Sequence, residues 1–361
     1  MDYDEIMKEQ LNQLLEGEDL SSISEDAYRL SGGISEAFTL ENILNAAMSG
    51  ESVFQNQNTI SSLKSLFFLE IQSALVLCAE IISICIIMGM LKSLSDGFGS
   101  KSINQLSMMV CTMAAAGVSL NSFQLSYQLS LDTVSAMVNT MEILMPILAG
   151  ILLATGAAAS GTVLSPVIIA SVTGFAFLVK TFILPGLFIS AVLSIMNCLT
   201  EKDYVNKLGK LIRTASLFVT GLVITVLSGI ITVQGLLTET SDGLLLGAAK
   251  YSISSFIPIV GGFTSDTVEL YLRCMGSIKS VVGVFGLLMV VMMMLIPLIK
   301  VVIIGFVYKL TAALAEPVTD SKIADGLNEM GNSVISMASI LFFTSLLFII
   351  FISTIIGIGT A

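Results

Sequence analysis

The chain has 361 residues, of which 55% are hydrophobic and 12% charged, with a mean hydropathy of +0.93 and a formal net charge of −11. Ordinary soluble domains carry roughly 25% charged residues, so this composition excludes a soluble protein of that kind and points to a membrane-embedded one. With no histidine in the chain, Ser-His-Asp triads, HExxH zinc sites and histidine proton relays are excluded too.

The negative charge sits at the N-terminus. Residues 1–60 hold twelve Asp/Glu and two Lys/Arg, whereas the other 301 residues hold fifteen acids and fourteen bases. Phosphates repel such a segment, so no nucleic-acid partner is expected. No secretory signal is expected either, because the opening MDYDEIMKEQ is acidic and polar. Over Tyr3–Leu15 the apolar residues Tyr3, Ile6, Met7, Leu11, Leu14 and Leu15 favour one helical face. Gly32-Gly33 breaks the chain, a second amphipathic stretch follows at Phe38–Met48, and the polar run from Gly50 to Ser62 reads as a linker. Residues 1–62 are thus an acidic, helical extramembrane segment, too poor in large apolar side chains to fold well alone. Such a segment suits an adaptor that orders on a partner.

Residues 63–361 read as a multispanning membrane domain, an all-α transmembrane bundle. Charge-poor apolar runs predict spans at about 66–91, 103–126, 140–158, 164–183, 184–200, 212–236, 252–271, 278–297, 298–314 and 332–357. Asp266 and Glu269 weaken the span at 252–271, while 184–200 and 298–314 lie near the ~17-residue lower limit for crossing. The expectation is at least five and about nine membrane helices. Each of the two short spans begins beside a proline that should break or kink the helix.

Those prolines outline an internal duplication. Met145-Pro146-Ile147-Leu148-Ala149-Gly150 resembles Ile257-Pro258-Ile259-Val260-Gly261-Gly262, and Leu184-Pro185 resembles Ile296-Pro297. Pro146 to Pro185 and Pro258 to Pro297 are both 39 residues apart, at an offset of 112. This predicts repeats over about 103–211 and 212–331, flanked by helices 66–91 and 332–357. With six prolines in the chain, chance coincidence of spacing is the competing reading. Repeats and broken helices are what many transporters use to build a midplane cavity.

Orientation follows from lysine and arginine. Glu201–Arg213 is the richest loop and is expected in the cytoplasm. Alternation then puts nine bases inside (Lys92, Lys101, Lys202, Lys207, Lys210, Arg213, Arg273, Lys279 and Lys322) and four outside (Lys64, Lys180, Lys250 and Lys300). The base-free segment 127–139 falls outside as a connection, and the acidic head lies on the non-cytoplasmic side.

Four charged residues fall within or near the edges of the firmer spans: Glu80, Glu142, Lys180 and Lys300. A charge at midplane costs roughly 2.5–3.5 kcal/mol on insertion scales, so each needs a partner, a water-filled cavity or a snorkelling route. Lys180 precedes Pro185 and Lys300 follows Pro297, which suggests that both face protein or water rather than acyl chains, where their ammonium groups could satisfy carbonyls freed at the breaks. Snorkelling lysines and paired or protonated glutamates are the structural alternative. Small residues at Gly150, Ala154 and Ala158, at Ala115 with Ser119, and at Gly221 would let another helix approach. The nineteen methionines suit adaptable packing. The five cysteines show no CxxC spacing, and Gly209-Lys210 is followed by Leu211, so neither a metal site nor a P-loop is expected. No catalytic residue or cofactor is expected.

From about Leu66 onward the chain resembles the stage III sporulation protein AE family of endospore-forming bacteria. The resemblance is carried by Leu193-Ser194-Ile195 with Leu199-Thr200-Glu201, and by Ser228-Gly229-Ile230-Ile231-Thr232-Val233-Gln234-Gly235. Its strongest stretch is Ser255-Phe256-Ile257-Pro258-Ile259-Val260-Gly261-Gly262 with Thr264-Ser265-Asp266. Ile299-Lys300-Val301 and Tyr308-Lys309-Leu310-Thr311-Ala312-Ala313 continue it. The order and spacing of these stretches are more specific than any one of them.

The resemblance implies a multispanning component of a secretion- or channel-like complex made in the mother cell and joined to the engulfed forespore. It also implies partners: other stage III sporulation membrane proteins and an ATPase that supplies the energy this chain lacks a site to provide. Members typically carry a secretory signal, which Met1–Gln10 does not resemble. A self-contained secondary transporter using an ion gradient is the alternative, to be recognised by a sealed broken-helix cavity. A purely structural anchor is the third reading.

Overall fold

The computed structural model describes residues 20–33, 35, 39–40, 42–44, 57–98, 101–155, 158–198, 206–256, 261–319 and 321–357. Among them there is no strand. A short helix, α1 (Leu20–Ser31), precedes the long helices α2 (Gln57–Phe98) and α3 (Lys101–Ala154). Helix α4 (Ala158–Leu178) runs through a π-helical turn (Val179–Ile183) into α5 (Leu184–Cys198), followed by α6 (Asn206–Phe256), α7 (Gly261–Ala315) and α8 (Ser321–Gly357). Six stretches of these helices are long and apolar enough to cross a membrane: Glu70–Leu91, Met109–Ala154, Ile169–Cys198, Asn206–Ile230, Arg273–Ala315 and Ser321–Gly357. In lipid the backbone must satisfy its own hydrogen bonds, and uninterrupted helices do so. Many hydroxyls follow suit, as when Thr140, Thr220, Thr311 and Thr344 each donate to the carbonyl four residues earlier.

Fewer, longer helices replace the spans expected from hydropathy. The stretches 103–126 and 140–158 join in α3, and 278–297 and 298–314 join in α7. Pro146 and Pro297 lie inside those helices and break neither. Pro185 has a different effect. One turn before it the ladder widens, and the Leu184 N–H donates to the Val179 carbonyl, five residues back. The extra residue in that turn accommodates the clash that a proline ring makes with the preceding turn. Pro258 lies outside the described residues.

The described residues do not show the duplication. Between Pro146 and Pro185 one helix ends at Ala154 and another begins at Ala158, whereas Gly261 to Pro297 is a single helix. The equal spacing of the prolines is not matched by equal connectivity.

Helix α8 is the centre of the bundle, packing along α7 and against α5, α3 and α6. Its Val334, Met337, Leu341, Phe348 and Phe351 are buried with Phe285, Met289 and Met293 of α7 and Met137, Leu144 and Leu148 of α3. Glycines allow the closest approaches: a Cβ on Gly331 would stand 3.0 Å from the Gly305 carbonyl oxygen where α7 and α8 cross. Of the small residues expected to admit a helix, Ala115 and Ser119 do so, since buried Tyr308 donates to the Ser119 carbonyl at 2.6 Å. Gly150 and Gly221 have nothing within 4 Å of a Cβ position. In α1, Ile23, Ala27 and Leu30 are buried against α7 and α3, and Asn139 donates to the Asp26 carboxylate at 3.4 Å. This part of the head therefore rests on the membrane domain.

One end of the bundle brings together several bases from separate helices. A Cβ on Gly89 would lie 2.6 Å from the Val318 carbonyl oxygen, Ser190 donates to the Gly209 carbonyl at 2.7 Å, and the Cys198 thiol donates to the Lys322 carbonyl at 3.2 Å. The helix ends near Lys92, Lys207, Lys210, Arg213 and Lys322 therefore meet there. Because α7 does not turn back at Pro297, Arg273 and Lys279 belong to the opposite end of that 55-residue helix from Lys322. Their placement beside Lys322, expected from a loop at the proline, is corrected.

Candidate functional site

Three helices enclose a groove of about 580 Å³ at the side of the bundle. Helix α2 contributes Glu70, Ser73, Val76, Leu77 and Glu80, helix α3 contributes Asn121, Ser122, Leu125, Gln128 and Asp132, and helix α7 contributes Lys300 and Ile304. Charge in the groove is uneven. The Lys300 ammonium donates to the Glu70 carboxylate at 3.1 Å, with side chains 42% and 21% exposed. Glu80 and Asp132 are exposed and have no partner among the described residues. The groove thus holds three carboxylates and one ammonium, which is already engaged.

The four charged positions singled out in the sequence therefore separate. Glu80 and Lys300 share the groove. Glu142 lies farther along α3, exposed and without a partner among the described residues. Lys180 sits half-buried inside the π-helical turn, with no hydrogen-bond or ion-pair partner among the described residues. Lys300 faces protein and meets the Glu70 carboxylate, and Pro297 beside it is buried within an unbroken helix.

A second polar cluster lies at the basic end. Buried Glu329 of α8 accepts from Arg213 at 2.5 Å and from Lys210 at 3.2 Å, both on α6. Beside it Ser194, Asn197, Asn206, Ser321, Lys322, Asp325 and Gly326 line a cavity of about 170 Å³. The pairing holds the start of α6 against α8. No group of three or more His, Cys, Asp or Glu among the described residues is placed to hold a metal. The five cysteines are free thiols.

Sequence reasoning missed Glu70, Asp132 and Glu329. Glu70 and Glu329 fall at the edges of predicted apolar runs, where an acid is unremarkable. Asp132 lies in 127–139, which hydropathy assigns to a loop and the structure to the middle of α3.

Against this arrangement, comparison with known proteins is decisive on the family. The family model described as stage III sporulation protein AE matches residues 38–359. The chain belongs to this family. It is 27% identical to stage III sporulation protein AE of Bacillus subtilis (strain 168) over 312 residues, covering 86% of this chain and 78% of that protein. No solved structure matches it at a significant level. The stage III sporulation protein AE match takes in the groove, the Glu329 cluster and all six apolar stretches, and it begins after α1.

Proposed function

We propose that this protein is an integral membrane core component of a sporulation-specific, secretion- or channel-like complex connecting mother cell and forespore, needed for late forespore development. The observation that carries the reading is the family match over residues 38–359, which includes all six stretches among the described residues that are long and apolar enough to cross a membrane. Other stage III sporulation membrane proteins and an ATPase are its partners, the latter because the chain has no phosphate-binding loop of its own. It lies in the mother-cell membrane around the forespore, with the end that holds the clustered Lys207, Lys210 and Arg213 in the cytoplasm by the positive-inside rule. With the six candidate crossings of the described residues the chain returns to its starting side, and the acidic head and the end of α8 face away from the cytoplasm.

A groove open at the side favours an assembly component over a self-contained transporter, which would close its charged residues away from neighbouring subunits. The test is native purification from sporulating cells with crosslinking, together with deletion of the gene. Co-purification with other stage III membrane proteins and an ATPase, and arrest of the forespore after engulfment, are expected. Normal spores from the deletion strain, or a chain recovered alone that carries out ion-coupled transport in vesicles, would overturn the reading.

A further inference from the structure

Helix α3 crosses the apolar stretch Met109–Ala154, yet one of its faces is polar. Asn121, Gln128, Ser135 and Glu142 recur every seven residues, Gln124 and Asp132 fall between them, and all six side chains are exposed. At 3.6 residues per turn these positions share an arc of about 80°. From 121 to 142 the stripe climbs about 32 Å at 1.5 Å per residue, close to the ~30 Å hydrocarbon core of a bilayer. Wherever a core of that thickness is placed along the 46-residue stretch, exposed polar groups remain inside it. The Ser135 hydroxyl donates to the Leu131 carbonyl at 2.8 Å, but the other five side chains have no partner among the described residues.

The outward faces are not alike. On α6 the exposed side chains include Leu211, Phe218, Leu222, Val226 and Ile230, a surface suited to acyl chains. The α3 stripe is the reverse, and its Asn121, Gln128 and Asp132 continue into the groove that Glu80 shares. A packed partner helix would have to match polar groups along the whole stripe. Water satisfies amides, hydroxyls and carboxylates alike, and the groove is roomy enough for several waters, each taking about 30 Å³.

We infer that the α2–α3 face lines a hydrated passage, sealed from lipid by neighbouring subunits, in which Glu80, Asp132 and Glu142 favour cations. Carboxylates lining a pore select for positive charge by concentrating it. The inference deepens the assembly reading above and relies on it for the lipid seal.

Single cysteines at Asn121, Gln128, Ser135 and Glu142, and at Leu222 as a lipid-facing control, are placed in a cysteine-free chain and made in sporulating cells. Positively and negatively charged methanethiosulfonate reagents are then applied to isolated membranes, and labelling is scaled to the inserted chain. The four stripe positions should react and Leu222 should not. The cationic reagent should react about tenfold faster at Gln128 and Ser135, and Asp132→Asn with Glu142→Gln should erase most of that preference. A stripe as inert as Leu222 overturns the passage, as do crosslinks to a partner helix with no reagent access. Equal rates for the two reagents overturn its cation preference. Normal spores from a deletion strain would refute the assembly reading without touching these rates.

Discussion

Glu329 meets two bases whose contributions differ. Arg213 is 17% exposed and bonds the carboxylate directly, whereas Lys210 is 50% exposed. Removing one partner of a buried pair costs about 3–5 kcal/mol because a charge is left uncompensated, and an exposed partner contributes about 0.2–1 kcal/mol. Arg213→Ala should therefore lower thermal stability in detergent strongly, and Lys210→Ala barely. Equal effects would mean that Lys210 contributes as much to the contact as Arg213. The Lys300–Glu70 pair gives a second test. Lys300→Met strands the Glu70 carboxylate, and Glu70→Gln in the same chain removes the stranded charge. If the pair is structural, the single variant should lose spores and the double should recover them. A double variant as defective as the single would show that the Lys300 ammonium itself is required.

At the scale of helices, close approach is written into particular glycines. The Gly331 site faces a backbone oxygen at 3.0 Å and the Gly89 site one at 2.6 Å, and backbone cannot swing aside as a side chain can. Gly331→Ala and Gly89→Ala should lower the unfolding midpoint of the membrane domain, while Gly117→Ala and Gly221→Ala, with nothing within 4 Å, should leave it unchanged or raise it slightly through helix propensity. Destabilisation by all four would indicate a backbone role for glycine unrelated to packing. The helical class and membrane character were legible in the sequence because they rest on composition and run length. Helix number was not, because a hydropathy window averages around the helix and cannot separate a polar face from a polar loop. Residues 127–139 are the case in point: Gln128, Asp132 and Ser135 lower the average, but Val134, Met137 and Val138 on the other side are buried. Prolines misled for a related reason. Neighbouring helices, hydroxyls and local π adjustments can re-satisfy a freed carbonyl in a membrane, so Pro146 and Pro297 mark no break. Glu80 and Lys300 were legible because a charge stands out within an apolar run. Their meeting in one groove depends on α2 and α7 packing together, which no local pattern encodes.

For the molecule as a whole, the joined helices change the expected topology in a way that one experiment can read. If Pro297 ended a span, Arg273 and Lys322 would lie on the same side of the membrane. With α7 continuous from Gly261 to Ala315, they lie at its opposite ends. The 43 residues of Arg273–Ala315 extend about 65 Å at 1.5 Å per residue, roughly twice the ~30 Å of a bilayer core. The helix therefore crosses at a steep tilt or projects well beyond the core, and in neither case does it return to its starting side. Moving Arg273 and Lys279 across reduces the nine-to-four bias to seven against six, so orientation rests on the densest cluster of bases, Lys202, Lys207, Lys210 and Arg213, which marks its end as cytoplasmic. Single cysteines at Ser21, Tyr204, Arg273 and Lys322 in a cysteine-free chain should fall into two groups with an impermeant maleimide. Ser21 and Arg273 should label from the non-cytoplasmic side, Tyr204 and Lys322 only after the cytoplasmic side is opened. Arg273 labelling together with Lys322 would restore a turn at Pro297 and remove the continuous α7. Ser21 labelling together with Tyr204 would instead leave α7 intact and make the number of crossings before residue 204 even, against the three of α2, α3 and α4–α5.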